Sequence, residues 1–405
     1  MEQAQVPIVT VSSTFLGAFP KSDIHHHSQE IVLSRAHYSQ ALACLIAADR
    51  MKLKTWMVDP TNYVSATDWP KVLLTEKLAE TFVRHPILMK LRQIIEDRAR
   101  NKLPISGAVD DPLYYATDRI TRPLISMHYE TANLLVKKHK VLSVVTDPYI
   151  RDQYLVHATH PNMYYAVFDQ ATKQELLAKT SSQLKAKVYV TGPPVDPRIV
   201  AYRSHKHPQN LDKRCLRIAI TTGGTGTNKP EIQAILNSLS SRLKGKPTTV
   251  QILAYAGTHP DFLAMFQDFA RHNQVTIGDI DDATAEFRII YGNHLMATNE
   301  LLVKYAFPWA DCFITKPSGD MAYDAAASGA ALLFLNPLGP WEEAIQQRFV
   351  KMDIGQDIPD SAHFAQQLVQ LEQLSWFAQA QQNALNLSDL YLKGAETIVK
   401  TLLQL

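Results

Sequence analysis

The sequence predicts an α/β protein made of two doubly wound parallel sheets, and three observations carry that reading. Short, apolar, β-branched runs, at residues 216–220, 312–315 and 330–335 among others, alternate with helix-length stretches along both halves of the chain. The connections are turns of Gly, Pro, Ser and Asn, and successive βα units of this length imply parallel strands joined by right-handed crossovers. The length of 405 residues exceeds the roughly 250–300 at which a single core stops growing. The chain therefore divides into an N-terminal domain over 1–200, a linker over 201–213 and a C-terminal domain over 214–385, followed by a helical stretch over 386–405.

Composition narrows the class. A content of 46% hydrophobic and 20% charged residues is that of a globular protein in water. A formal net charge of +2 gives no basic surplus for nucleic acid. Cys44, Cys215 and Cys312 are far apart and form no metal or redox pattern, which points to a reducing compartment. No apolar run approaches the roughly 18 residues needed to cross a bilayer, and the N-terminus lacks a signal-peptide profile. The expectation is a cytoplasmic protein whose membrane contact, if any, is peripheral.

In chain order, residues 7–12 form a first strand, with a loop over 13–21. His25, His26 and His27 then lead into a helix that runs to about Met51. Without a Cys or acidic ligand at metal spacing, the triple histidine reads as a solvated helix start rather than a metal site. Residues 70–103 are helical, with a kink at Pro86, and interleave cations with apolar residues. That pattern suits either a helix pair packed on a core with a basic face in water or a segment on an anionic membrane. Residues 122–129 form a strand ending at His128, followed by a helix over 130–140. A strand over 142–146 has Asp147 at its carboxyl end, where a carboxylate can act as a base or cap the next loop. A strand over 164–168, a helix over 171–178 and a strand-turn over 188–194 complete this half.

The second half opens on a strand at 216–220, a turn containing Gly223, Gly224, Thr225 and Gly226, and a helix over 230–243 with proline near its start. Glycines let a backbone approach a ligand closely with several amides converging. Strands follow at 249–254 and 287–291, with His294 and Leu295 just after the latter, and a helix at 299–306. The segment 311–346 then reads strand, turn, helix, strand, turn, helix. Its first turn, Lys316 to Asp320, offers the amides of Ser318 and Gly319 to an anion at a helix start. Asp320 is positioned to cap that helix over 321–328, and Gly329 suits the left-handed residue that ends it. Asp324, one turn inside, can accept from vicinal hydroxyls, and Glu342, Glu343 and Gln346 after the second turn can hold a sugar. Anion, diol and sugar in that order describe a nucleotide sugar.

These residues resemble the donor-binding signature of glycosyltransferase family 28, whose pattern is approximately K-x-G/S-G-x-T/S-x-x-E-A, a proline-containing turn, then G-Q-E-x-x-N. Here Lys316, Ser318, Gly319, Asp324 and Ala325 match the first part and Glu342, Glu343 and Gln346 the second. The resemblance implies a GT-B architecture of two Rossmann-like domains with an interdomain cleft, the last helix returning to the N-terminal domain. It implies an inverting, metal-independent hexosyltransferase with no cofactor, using a nucleoside-diphosphate sugar, UDP-linked in this family. The acceptor would be a hydroxyl, lipid-linked as in diacylglycerol among the choices, reached at the inner membrane face. Donor contacts would come from Gly223, Gly224, Thr225, Gly226, His294 and Leu295 as well as the 316–346 residues, and the base from Asp147 or His26. Asp320 in place of a small residue, Asp324 for Glu, Glu342 for Gln, Gln346 for Asn and a first loop with only Gly17 depart from the pattern. They leave two alternatives open: a degenerate nucleotide-binding or scaffolding module, and a UDP-sugar epimerase or hydrolase of the same fold.

Overall fold

The structure is a computed structural model that describes residues 4–15, 30–65, 67–74, 104–213, 215–224, 226–245 and 249–405. The histidines at 25–27, Thr225 and the expected helices over 75–103 lie outside the described residues. The chain separates into two compact units, one of residues 1–197 with 389–405 and one of residues 198–388.

The first unit holds a six-stranded sheet in the order β2-β1-β3-β4-β5-β6, every pairing parallel. Its strands are β1 (Gln5–Val9), β2 (Lys54–Val58), β3 (Leu124–Ser126), β4 (Val141–Val144), β5 (Met163–Val167) and β6 (Val188–Val190). Helix α1 (Arg35–Arg50) begins at Ser34, whose hydroxyl accepts from the His37 amide, an N-cap worth about 1 kcal/mol. It buries Ala41, Ala43, Cys44, Ala47 and Ala48 against Val6, Ile8, Ile125 and Leu142 of the sheet. Helix α2 (Pro104–Thr117) and helix α3 (Tyr129–Leu135) follow. The expected strand at 122–129 is confined to three residues because His128 leaves the sheet to cap α3, its Nδ1 accepting from Glu130 N. Helix α4 (Gln170–Lys179) connects β5 to β6.

The second unit also holds a six-stranded sheet, with strand order β12-β11-β10-β7-β8-β9 and all pairings parallel. The strands are β7 (Leu216–Thr221), β8 (Val250–Gly257), β9 (Phe287–Tyr291), β10 (Cys312–Thr315), β11 (Ala331–Phe334) and β12 (Gly355–Asp357). Every residue of β10 and β11 is buried, as continuous apolar runs in a two-faced parallel sheet require. Between them run α5 (Lys229–Leu243), α6 (Pro260–Asn273), α7 (Leu295–Tyr305), α8 (Met321–Ala327) and α9 (Pro340–Lys351), with α10 (Phe364–Gln373) and α11 (Trp376–Leu385) after β12. In α9, Ile345 and Phe349 stand one turn apart and are both buried. The Phe349 ring lies 5.0 Å from Tyr323 and 6.3 Å from Phe334. A buried side chain of this size contributes roughly 1.5–3 kcal/mol.

Residues 201–213, expected as a linker, instead form short 3-10 turns fixed within the second unit. Lys206 is 6% exposed and donates to the Phe307 and Ala310 carbonyls, and Arg203 donates to the carbonyls of Ala327, Ala384 and Leu385. These cations satisfy carbonyls at helix ends, which composition alone does not reveal. After α11 the chain rejoins the first unit, where α12 (Gly394–Leu402) buries Ile398, Val399 and Leu402 in the same core as α1. Gly192, at φ +85°, and Gly394 make this possible: a Cβ on the former would strike the Leu390 carbonyl, and one on the latter the Pro193 carbonyl. Among the described residues, no helix is long and apolar enough to cross a membrane.

Candidate functional site

In an open parallel sheet, ligands sit at the carboxyl ends of the strands where the winding direction reverses. The second unit reverses between β7 and β10, which are adjacent although far apart in sequence. The turns after these two strands are those that the sequence singled out. Gly226 N donates to Gly223 O at 2.9 Å, with Gly226 and Asn228 both in the left-handed region. Gly223 lies directly under the Lys316 stem: a Cβ there would meet Lys316 Cδ at 2.9 Å and Nζ at 3.2 Å. Lys316 Nζ in turn bonds Glu342 Oε1 at 2.7 Å, with their side chains 14% and 3% exposed. The other Glu342 oxygen accepts from Leu338 N at 2.8 Å. Asn228 reaches the Asn336 carbonyl at 3.1 Å, and Glu231 accepts from Asn336 N at 3.1 Å. Burial, opposed by those hydrogen bonds, raises the Glu231 pKa.

Three corners of the second unit, after β7, β10 and β11, are thus tied together. Around the glycine turn, the hydroxyls of Thr221, Thr222 and Thr227 and the side-chain oxygen of Asn228 are buried without a hydrogen-bond partner among the described residues. Buried polar atoms are rarely left so, and each costs about 1–3 kcal/mol.

The other expected donor residues fall as follows. Ser318, not Asp320, caps α8: its hydroxyl accepts from Met321 N at 3.2 Å and donates to Asp320 Oδ1 at 2.6 Å. Asp320 has helical backbone angles and makes no side-chain cap bond, because the shorter hydroxyl reaches the amide first. Gly319 precedes it in the same turn. Asp324 is 3% exposed inside α8, and Gly329, at φ +86°, ends that segment. Glu343 is exposed, Gln346 is turned to Asp357 Oδ1 at 2.6 Å, and Glu342 is committed to Lys316. Gly224 is half-buried beside Gly223. His294 is exposed at the start of α7, its carbonyl accepting from Thr298 N, and Leu295 is buried.

The first unit reverses between β1 and β3, and its polar groups there were not evident from the sequence. Asp59, 4% exposed at the end of β2, accepts on Oδ2 from Ser12 N at 2.7 Å, Ser12 Oγ at 2.8 Å and Ser13 N at 3.1 Å. On Oδ1 it accepts from Thr61 N at 3.1 Å and Thr61 Oγ1 at 2.6 Å. Burial raises its pKa despite those bonds. Ser13 Oγ donates to Glu30 at 2.7 Å, while Thr10 Oγ1 and Asn62 Oδ1 have no partner among the described residues.

His37, on the first turn of α1, and His128, just past β3, meet edge to face with ring centroids 5.1 Å apart. His37 Nδ1 donates to Val11 O at 3.3 Å, so a neutral ring carries its lone pair on Nε2. Asp147, past the end of β4, is bonded to Arg151 at 3.5 Å. Burial, then the Asp147 charge, pushes Tyr154 up to about 12. His37 was not singled out from the sequence, where its place one turn into the helix that follows β1 was the available signal.

No protein-family model matches this sequence, and no curated protein matches it. Solved structures do. MurG from Acinetobacter baumannii aligns over 99% of this chain and all of its own, at TM-score 0.54 and 10% identity. A UDP-GlcNAc 2-epimerase from Neisseria meningitidis, solved with UDP-GlcNAc, aligns over 99% and 100% at TM-score 0.54 and 11% identity. Os79 from O. sativa, solved with UDP, aligns over 98% and 99% at TM-score 0.56 and 9% identity. With two parallel six-stranded sheets and these neighbours, the chain has the GT-B fold.

Proposed function

We propose that the protein is an inverting, metal-independent glycosyltransferase that moves a hexose from a UDP-sugar to a hydroxyl acceptor, lipid-linked acceptors such as diacylglycerol included. The observation that carries this reading is the set of buried oxygens on Thr221, Thr222, Thr227 and Asn228 that have no partner among the described residues, gathered at the reversal point beside Lys316. Such oxygens suit a guest rich in hydroxyls and phosphate oxygens. The neighbours solved with UDP and UDP-GlcNAc support the choice of nucleotide.

In this reading the glycine-turn amides and Lys316 stabilise charge growing on the leaving diphosphate, at about 1.5–3 kcal/mol per charge-assisted bond. No resident metal or cofactor is assigned. Asp324 holds the ribose, and Glu343 is the carboxylate left for the hexose. His37 Nε2 is assigned as the base that deprotonates the acceptor hydroxyl, in preference to His26, with Asp147 as an orienting group. An epimerase needs carboxylates about the hexose, and Glu342 is already held by Lys316 and Leu338 N.

Calorimetry with a panel of nucleotide sugars, followed by assay of released diphosphate with and without lipid acceptors, tests the proposal. Acceptor-dependent release is the expected result. Release without acceptor would favour hydrolysis or epimerisation, and binding without turnover a scaffold.

A further inference from the structure

A cavity of about 860 Å³ opens at the opposite end of the strands of the first sheet, within the 300–1,000 Å³ typical of small-ligand sites. Gln5 opens β1, while Pro123, Lys140 and Asn162 immediately precede β3, β4 and β5. The cavity therefore lies at the amino ends of the strands, whereas His37, His128 and Asp147 lie at the carboxyl ends. It belongs to neither reversal point.

Its lining carries three cations, Arg122, Lys138 and Lys140, against one acidic side chain, Asp118. Lys140 donates to the Leu405 oxygen at 2.6 Å, and Lys138 lies 4.6 Å over the Tyr114 ring. Between them stands His139, whose imidazole bonds the Ile120 backbone while its Nε2 is buried with no partner among the described residues. Burial, then the charge of Lys138, lowers the His139 pKa, so the ring is neutral near pH 7. A neutral imidazole that donates through Nδ1 offers Nε2 only as an acceptor. Ile120 and Leu402 supply an apolar floor.

We propose that this cavity binds a phosphomonoester of a polyhydroxy compound, the phosphate facing Arg122 and Lys138 and a hydroxyl donating to His139 Nε2. A phosphomonoester carries about −1.5 to −2 charges at pH 7, which matches the cationic wall, and the polyol's hydroxyls supply a donor for His139 Nε2, which has none among the described residues. A free sugar or inositol phosphate and a phosphorylated lipid headgroup share this chemistry.

The test is calorimetry on the full chain with inositol monophosphate and with methyl phosphate, which keeps the charge and lacks the hydroxyls. A second arm is co-sedimentation with phosphatidylcholine vesicles containing phosphatidylinositol monophosphate. Saturable binding of inositol monophosphate, weaker for methyl phosphate, is expected. Combining Arg122→Ala with Lys138→Ala, both exposed positions, should weaken it by about tenfold or more with UDP affinity unchanged. Loss of vesicle binding in the same variant would assign the source to a headgroup, and free-ligand binding alone to a soluble phosphate. Absence of binding for both probes, equal affinity for the two phosphates, or undiminished binding in the double variant would overturn the proposal.

Discussion

At the reversal point of the first unit, the Asp59 carboxylate is saturated: five donors from Ser12, Ser13 and Thr61 converge on its two oxygens. At the equivalent place in the second unit, three threonine hydroxyls and an asparagine oxygen converge on nothing described. Ser12 and Ser13 follow the first strand of their sheet as the glycine turn follows the first strand of its own, although the strand orders of the two sheets differ. Five donors on one carboxylate fix the loops that supply them, although Thr10 Oγ1 and Asn62 Oδ1 nearby have no partner among the described residues. The second unit's glycine turn has four such oxygens and no comparable carboxylate to bind them among the described residues. Under the proposed function, the first unit would position the acceptor chemistry and the second would hold the donor.

The sharpest way to break that comparison is His37→Ala. If His37 is the base, turnover falls by about 10²–10⁴ while UDP-sugar affinity measured by calorimetry stays unchanged. A parallel loss of affinity would place His37 on the donor instead. Next in size, Lys316→Met leaves the buried Glu342 charge without its cation, and chemical denaturation should show a loss of about 3–5 kcal/mol. Adding Glu342→Gln should restore most of that stability without restoring donor binding. Gly223→Ala drives a methyl group against Lys316 Cε, with Cδ at 2.9 Å and Nζ at 3.2 Å. The lysine must shift away, and donor affinity should fall by about tenfold, the loss of one charge-assisted bond.

The smallest effect concerns Asp59. Its folded-state pKa is raised, chiefly by burial. Its contribution to stability is therefore complete below the ordinary carboxylate value and is lost as pH rises through the elevated one. Denaturation midpoints followed across the acidic range should lose that slope in Asp59→Asn.

What could be read in the sequence was what is local. The strand, turn and helix at 312–327 declare themselves within sixteen residues, through β-branched residues, Lys-Pro-Ser-Gly and an alanine-rich run. The glycine turn does the same, and so does Gly329. Partnerships that depend on helix rotation were not legible. Glu342 was read from the sequence as one of three polar residues that could hold a sugar, while its pairing with Lys316 at 2.7 Å, twenty-six residues away, was not foreseen. Likewise the Asp59 network joins residues forty-seven apart, and no periodicity announces it. Ser318 displaced Asp320 as the cap by a difference of one bond in side-chain reach.

The close approach of Gly192 to Leu390, and of Gly394 to Pro193, has a consequence for biosynthesis. A ribosome delivers all of β1 to β6 early, yet α12, which covers part of that sheet's core, emerges only after the whole second unit has been translated. The later-made half can thus complete itself before the earlier-made half does, and until then the core that α1 shares with Ile398, Val399 and Leu402 lacks the contribution of α12.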